Sequence, residues 1–232
     1  MVLVIAHRGF SAGHPENSLE AFEAAITAGA DAIETDVRLS RDGVPVCSHD
    51  ADLKRLRGRA DAISQVDAAD LEREGILRLE TVLAAVKGRT KVMLDLKLLT
   101  EEGLAPGFAV VNKLGMGGDV FAGVRDIELV RVVRKLCPAA TLLGLVKRPD
   151  DLPYFYSAGG AIGRLWEDEA TRASVAAAKK DGHQVWVTAG ARGAGGVGDI
   201  GRDGLKHLYA VGVGGVVVND PAQAIAVRAE MA

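Results

Sequence analysis

Residues 32–49 read AIETDVRLSRDGVPVCSH, and this stretch decides how the rest of the chain is folded. Two apolar runs typical of strands, Ala32 to Val37 and Val44 to His49, are separated by only six residues. A parallel crossover needs roughly a dozen residues or more, so the second run must lie antiparallel to the first. Asp42-Gly43 between them is a hairpin turn signal. We therefore predict a short β-hairpin excursion after the second strand, which carries His49 back towards the mouth of the fold.

Outside this hairpin, short β-branched runs alternate with amphipathic, Ala-rich stretches along the whole chain. This alternation predicts a parallel sheet with crossover helices. Eight candidate strands remain, which is the number in a TIM-type (β/α)8 barrel of the α/β class. We expect one such domain over residues 1–232. The barrel strands are predicted at Val2 to His7, Ala32 to Val37, Lys91 to Lys97, Asp119 to Val124, Thr141 to Val146, Ala161 to Trp166, His183 to Ala189 and Gly215 to Asp220.

Helices are predicted in the intervals between these strands. The first has Asn17 as its expected N-cap, with Glu20 three residues on. A glycine-rich segment, Gly190 to Gly201, follows a strand and is therefore expected at the face of the barrel where active sites form. The predicted helices are Ser18 to Ala28, Leu79 to Val86, Ile127 to Leu136, Glu169 to Asp181 and Asp203 to Ala210.

Composition excludes several classes of function. The formal net charge of −3 gives no field that would attract nucleic acid or an anionic membrane. The apolar run Val2 to Ala6 is too short for an export signal, and nothing reaches membrane-spanning length. Cys47 and Cys137 have no metal-ligand spacing, so we interpret both as buried thiols. These features predict a cytoplasmic protein acting on a small molecule, with its oligomeric state left open.

Polar residues follow the early strands, where a barrel places catalytic groups. Glu34 and Asp36 are two residues apart, so on a strand they share one face. Inward carboxylates repel each other unless a cation lies between them, and Mg²⁺ or Ca²⁺ selects oxygen ligands. Asp95 and Lys97 repeat this spacing on the next barrel strand. Asp95 can complete a metal site while Lys97 points at a bound anion.

Two imidazoles stand near these carboxylates in the predicted fold. His7 ends the first strand and His49 ends the hairpin, and histidine suits acid and base roles at neutral pH. With Arg8 and Lys97 as cations, the set fits cleavage of a phosphodiester. Trp186 has two open interpretations, as barrel packing or as an apolar wall for a glycerol or alcohol moiety.

Nine short motifs follow one another along the chain: Ala6-His7-Arg8-Gly9, Pro15-Glu16-Asn17-Ser18, Gly29-Ala30-Asp31, Ile33 to Val37, Asp42-Gly43-Val44, Ser48-His49-Asp50, Leu94 to Lys97, Val185 to Thr188 and Val218 to Pro221. In order and spacing they resemble the glycerophosphodiester phosphodiesterase family. The resemblance implies a TIM barrel that hydrolyses glycerophosphodiesters to glycerol 3-phosphate and an alcohol with Mg²⁺ or Ca²⁺. It implies Glu34, Asp36 and Asp95 as metal ligands, His7 and His49 as acid and base, and Arg8 and Lys97 as phosphate contacts.

Two departures from the family pattern affect the expected site. Asp95 stands where the family usually has Glu, and Trp186-Val187-Thr188-Ala189 replaces the usual Trp-Thr-Val-Asn. Two further functions stay open beside hydrolysis. One is a phospholipase-D-like lyase that leaves a cyclic phosphate, because the same barrel and histidine pair also resemble phospholipase-D-like toxins. The other is a barrel that binds a phosphorylated ligand without turnover, and its only support is the missing family residues in the second half of the chain. Which histidine is the acid, which alcohol is preferred and which metal is used are also open.

Overall fold

The computed structural model describes residues 1–190 and 196–231. Residues 191–195, within the glycine-rich segment Gly190 to Gly201, and Ala232 lie outside the described residues. The strands are β1 (Leu3–Ala6), β2 (Ala32–Leu39), β3 (Pro45–Cys47), β4 (Lys91–Leu96), β5 (Val120–Val124), β6 (Thr141–Gly144), β7 (Ile162–Trp166), β8 (Gln184–Thr188) and β9 (Gly215–Val218).

The strands confirm the predicted TIM-type barrel. Eight of them pair in parallel in the order β1, β9, β8, β7, β6, β5, β4, β2, and β1 also pairs with β2, which closes the ring. β3 lies outside the ring and pairs with β2 in antiparallel register, with Val37 opposite Cys47. The hairpin excursion is therefore present where it was predicted.

The α-helices of the described residues cover the outside of the ring and the loops at its ends. They are α1 (Leu19–Thr27), α2 (Lys54–Arg57), α3 (Ala68–Arg73), α4 (Leu79–Val86), α5 (Glu101–Lys113), α6 (Leu129–Leu136), α7 (Leu152–Ser157), α8 (Arg172–Lys180), α9 (Arg202–Val211) and α10 (Pro221–Glu230). None of these helices has the length and hydropathy that a bilayer-spanning segment requires.

The predicted N-cap of α1 is wrong by one residue. Ser18 is the cap, and its Oγ accepts a hydrogen bond from the Ala21 backbone N–H. Asn17 instead has a left-handed backbone with φ of 56°, and its side chain is buried. Asparagine tolerates this conformation better than most residues, which frees its amide to point away from the helix. That amide belongs to the site described below.

Two apolar layers lie on the two faces of the ring, one inside the barrel and one between the strands and the helices outside. Side chains alternate between the two faces of each strand, so one set fills the barrel and the other packs under the helices. The interior layer includes Ile5, Met93, Phe121 and Trp186. The larger outer layer joins the strands to the helices and contains both free thiols, Cys47 and Cys137. This packing holds the strand ends rigidly around one mouth.

Candidate active site

A cavity of about 270 Å³ opens at the carboxyl ends of the barrel strands. Seven of the eight predicted site residues line it, and Trp186 does not. The seven lie on or just after β1, β2, β3 and β4, so neighbouring strands bring them together. They are His7, Arg8, Glu34, Asp36, His49, Asp95 and Lys97.

The three carboxylates of the predicted metal site form one cluster. One oxygen from each of Glu34, Asp36 and Asp95 lies within 4.8 Å of the others. Register explains part of this, because Asp36 on β2 pairs directly with Asp95 on β4. An all-oxygen donor set of this size suits Mg²⁺ or Ca²⁺, which are hard cations. The residues present therefore fit a divalent ion.

Glu34 and Asp36 are both buried, yet their surroundings shift their pKa values in opposite directions. Burial, and then the charges of Asp36 and Asp95, raise the pKa of Glu34 well above its usual range. Burial alone would also raise the pKa of Asp36, but the charges of Lys97 and Arg8 lower it below its usual range. A divalent cation among the three carboxylates would remove the repulsion that Glu34 experiences.

Lys97 lies between two of the carboxylates. Its Nζ is 2.8 Å from Asp36 Oδ1 and 2.6 Å from Asp95 Oδ2, and its side chain is only 9% exposed. Arg8 approaches from the other side, with its Nε 3.3 Å from Asp36 Oδ2. Its backbone N–H donates to Glu34 Oε2 at 2.8 Å. Both predicted phosphate contacts thus border the carboxylate cluster.

The turn after β1 needs an unusual backbone to place Arg8. Arg8 and Gly9 have φ values of 57° and 81°, both in the left-handed region. A Cβ at Gly9 would lie 2.7 Å from the Ala21 backbone of α1, so a larger residue cannot fit. Strain of this kind persists where surrounding structure fixes it, and it clusters at functional sites.

His7 is buried and held through its Nδ1. Asn219 Oδ1 lies 2.7 Å away, while the Asn219 amide nitrogen donates to Asp199 Oδ1 at 2.7 Å and to the Val197 carbonyl at 2.9 Å. Because the amide oxygen is the group facing His7, Nδ1 carries the hydrogen and Nε2 is left with its lone pair. Burial, followed by the neighbouring charge of Arg8, lowers the pKa of His7.

His49 has a different environment. Its Nδ1 lies 2.8 Å from Asp50 Oδ1, and its side chain is 39% exposed. Asp50 also accepts from Arg55 Nε at 2.6 Å, and Arg55 continues to Glu16 at 2.6 Å. Glu16 in turn lies 3.2 Å from Arg8 Nη1. This chain of contacts, which we call the ion-pair chain, connects the His49 loop to Arg8.

Two residues that support Asp36 and Asp95 were not predicted. Asn17 donates to Asp36 Oδ2 at 3.2 Å and accepts from Thr35 Oγ1 at 2.7 Å. Arg125, directly after β5, makes a bidentate pair with Asp95 at 2.6 and 2.9 Å. The position of Arg125 at a strand end could have indicated it, whereas the turn of Asn17 away from α1 depends on its left-handed φ.

The two tryptophans occupy different levels of the barrel. Trp186 is fully buried and packs edge-on against Phe121, with ring centroids 4.6 Å apart. Of its two interpretations, barrel packing fits this position. Trp166, at the end of β7, lines the cavity instead, together with Arg164 on the same strand. The aromatic surface of the site therefore comes from a residue that the sequence did not single out.

Comparison with known proteins links this arrangement to one family. Residues 7–114 match the "Glycerophosphoryl diester phosphodiesterase family". A "Probable glycerophosphodiester phosphodiesterase 1" of Mycobacterium tuberculosis is 48% identical over 68 residues, 29% of this chain and 25% of that protein. A Bacillus altitudinis glycerophosphodiester phosphodiesterase is 34% identical over 111 residues, 42% of this chain and 45% of its own length. Each match therefore spans less than half of the relative.

Solved structures extend the similarity of fold to the rest of the chain. A phosphodiesterase of Oleispira antarctica, in complex with the product sn-glycerol-3-phosphate, superposes with a TM-score of 0.83. The match covers 98% of this chain and 96% of that structure at 21% identity. At this identity the match establishes the barrel fold, while the family match covers residues 7–114.

Proposed function

We propose that this chain, which belongs through residues 7–114 to the glycerophosphoryl diester phosphodiesterase family, hydrolyses glycerophosphodiesters to glycerol 3-phosphate and an alcohol with the help of Mg²⁺ or Ca²⁺. One observation carries the proposal. Two imidazoles, three clustered carboxylates and the cations Arg8 and Lys97 line a single cavity at the strand ends. Relatives that are named for this reaction support it.

Glu34, Asp36 and Asp95 would hold the divalent cation. When bound, it would neutralise charge on the phosphate oxygens and on a developing oxyanion. Lys97 and Arg8 would contribute further positive charge beside the phosphate and keep it oriented. Because both already pair with Asp36, their side chains are held in place before a ligand arrives. Preorganised charge of this kind favours the transition state over the ground state.

The surroundings of the two imidazoles favour different roles. His7 is neutral, buried and held by an uncharged amide, so its Nε2 can accept a proton from the attacking water. His49 pairs with the Asp50 carboxylate, which stabilises positive charge on the ring, and lies closer to solvent. We therefore assign His7 as the general base and His49 as the general acid that protonates the leaving alcohol.

The proposal is tested with a panel of glycerophosphodiesters, assayed after EDTA treatment and after adding back Mg²⁺ or Ca²⁺. Phosphorus NMR of the products separates hydrolysis, which gives a phosphomonoester, from the lyase alternative, which gives a cyclic phosphate. Turnover that needs the metal and yields glycerol 3-phosphate supports the proposal. A cyclic product would replace it with the lyase, and ligand binding without turnover would favour a binding barrel.

We expect His7→Ala and His49→Ala each to lower turnover by about 100-fold to 10,000-fold, the usual contribution of a general acid or base. Both variants should keep the far-UV circular dichroism of the parent. His207→Ala is the control, because His207 is exposed on α9 and does not line the cavity. Near-parental turnover in either site variant would remove that histidine from the mechanism.

A further inference from the structure

Asn219 stands between His7 and a short segment of the loop that follows β8. On one side, its Oδ1 lies 2.7 Å from His7 Nδ1. On the other side, its amide nitrogen donates to the Val197 carbonyl at 2.9 Å and to Asp199 Oδ1 at 2.7 Å. The residue that holds His7 is therefore itself held by the segment of residues 197–199.

This segment decides which end of the Asn219 amide faces His7. The oxygen and nitrogen of an amide have nearly the same size, but the Val197 carbonyl and the Asp199 carboxylate can only accept hydrogen bonds. A reversed amide would place its oxygen against these two acceptors and turn its N–H groups towards His7 Nδ1. That nitrogen would then have to accept, the ring hydrogen would move to Nε2, and no lone pair would remain for the attacking water.

The ends of two barrel strands fix the position of the segment. The Gly198 N–H donates to the Ala189 carbonyl after β8 at 2.8 Å, and the Gly198 carbonyl accepts from the Asn219 backbone N–H at 2.7 Å. Gly198 has a φ of 90°, and a Cβ there would lie 2.2 Å from Asn219 Oδ1 and 2.8 Å from His7 Nδ1. The backbone of the segment therefore packs directly against the contact between Asn219 and His7, and glycine leaves room for that contact.

We propose that Asp199 is a positioning residue, which together with the Val197 carbonyl fixes the orientation of Asn219 and thereby the tautomer in which His7 can act as a base. This inference rests on the proposed function, because it names what places the hydrogen on the proposed general base. Asp199 acts at a distance from the substrate, since it does not line the cavity.

Nitrogen-15 NMR of the histidine rings reports the tautomer without substrate or turnover, and His7→Ala assigns the signal. At alkaline pH, where the ring is neutral, we expect the hydrogen on Nδ1 in the parent. Asp199→Ala should give a mixture of both tautomers, whereas Asp199→Asn should stay close to the parent because its amide oxygen can still accept from Asn219. Hydrogen on Nε2 in the parent, or an unchanged tautomer in Asp199→Ala, would overturn the proposal.

Kinetics measure whether the orientation of Asn219 matters for turnover. We expect Asp199→Ala to lower kcat about tenfold with little change in KM, as the loss of a hydrogen bond to a charged group would, because no phosphate contact is removed. In the Asn219→Ala background the same substitution should cause no further loss, since its effect passes through that amide. An equal loss in both backgrounds would show that Asp199 acts independently of Asn219 and would refute its positioning role.

Two matched controls lie in the same part of the chain. Asp203→Ala removes an exposed carboxylate from the first turn of α9, and Gly201→Ala adds a Cβ that meets nothing within 4 Å. Both should keep the tautomer and the kcat of the parent, whereas Gly198→Ala should disturb both. Equal losses in the controls and in Asp199→Ala would count against a specific role for Asp199.

The positioning role and the proposed function can fail separately. If the diesters are not turned over but the His7 tautomer still depends on Asp199, the hydrolase proposal fails and the positioning role stands. If hydrolysis occurs but Asp199→Ala keeps the tautomer and the kcat of the parent, only the positioning role fails.

Discussion

At the scale of single residues, Asp95 pairs with an exposed arginine and with a largely buried lysine. Its carboxylate contacts Lys97 and Arg125 and also belongs to the proposed metal cluster. We expect Asp95→Asn to weaken metal binding sharply, because it removes one anionic ligand while keeping the shape of the side chain. We expect Asp95→Glu to stay active with a changed ratio of Mg²⁺ to Ca²⁺ activity, since Mg²⁺ requires stricter geometry.

Calorimetric titration of both ions, with activity after EDTA treatment and metal add-back, measures these changes. Asp126→Asn is the matched control, because Asp126 is an exposed neighbour of Arg125 that caps the Glu128 backbone N–H and does not line the cavity. If Asp95→Asn bound metal and turned over substrate as well as the parent, Asp95 would not be a ligand.

The pH dependence of activity follows from the surroundings of His7. A general base must be neutral, so activity falls as the pH drops through its pKa. Since burial and Arg8 lower the pKa of His7, we expect this loss to occur below pH 6.5, the ordinary value for histidine. The acid side of the pH profile of kcat/KM gives the pKa of this group in the free enzyme. NMR titration of the His7 ring then shows whether the group is His7 rather than Glu34. A His7 titration above pH 6.5 would contradict the assignment.

At the scale of elements, the hairpin of β2 and β3 places His49 at the cavity. Arg55 on α2 donates to Asp50, the residue that contacts the His49 ring. Arg55 bonds Asp50 and Glu16 together, so it connects the His49 loop with the segment that precedes α1. We expect Arg55→Met to lower kcat about tenfold with a smaller change in KM, because the ring of His49 would lose its fixed orientation while the phosphate contacts remain.

Arg59→Met is the control for Arg55→Met, because Arg59 has similar exposure and also makes two ion pairs, to Asp61 and Glu74, outside the ion-pair chain. Steady-state kinetics of both variants measure the changes in kcat and KM. Equal kcat values for the two would mean that Arg55 is only a surface ion-pair residue, which typically contributes little.

The elements also show what the sequence could predict. The strands of the ring and α4 were predictable because each has one consistent period of apolar residues. α5 was not, since Pro106 and the glycines around it argue against a helix, yet buried Leu104, Phe108 and Val111 hold it in place. Packing energy outweighs local propensity there.

In the site too, some residues were predictable from local sequence and others depend on tertiary packing. Motifs indicated the seven predicted residues that line the cavity, since each lies on or just after a strand in the first half of the chain. Asn219 lies in the Val218 to Pro221 motif, but nothing in that motif indicates a contact with His7, and Arg164 lies in none of the motifs. Only closure of the ring brings Asn219 within 2.7 Å of His7, and only the alternation on β7 directs Arg164 inwards. Contacts of this kind depend on the tertiary fold.

At the scale of the whole molecule, stability and chemistry reside in different regions. Phe155 on α7 is fully buried, and its ring occupies the space beside Gly144 and Gly160. We expect Phe155→Ala to lower the free energy of unfolding by about 3 to 5 kcal/mol through the cavity it leaves. Urea denaturation measures the loss, while kcat per folded molecule should not change because Phe155 does not line the active-site cavity.

Tyr154→Ala is the control, since Tyr154 is the neighbouring aromatic residue and is 69% exposed. It should change the free energy of unfolding by no more than about 0.5 kcal/mol. A similar loss in both variants would show that α7 as a whole, rather than the buried ring, supplies the stability.

The pairing of β1 with β9 also has a consequence for synthesis of the chain. Leu3–Ala6 bonds to Gly215–Val218, and His7 is oriented by a residue 212 positions further on. A nascent chain emerging from a ribosome therefore exposes both edges of an unfinished sheet until β9 has appeared, and unpaired edges attract other strands. Because His7 lacks its amide partner throughout that interval, translation to Asn219 is the event that completes the proposed catalytic base.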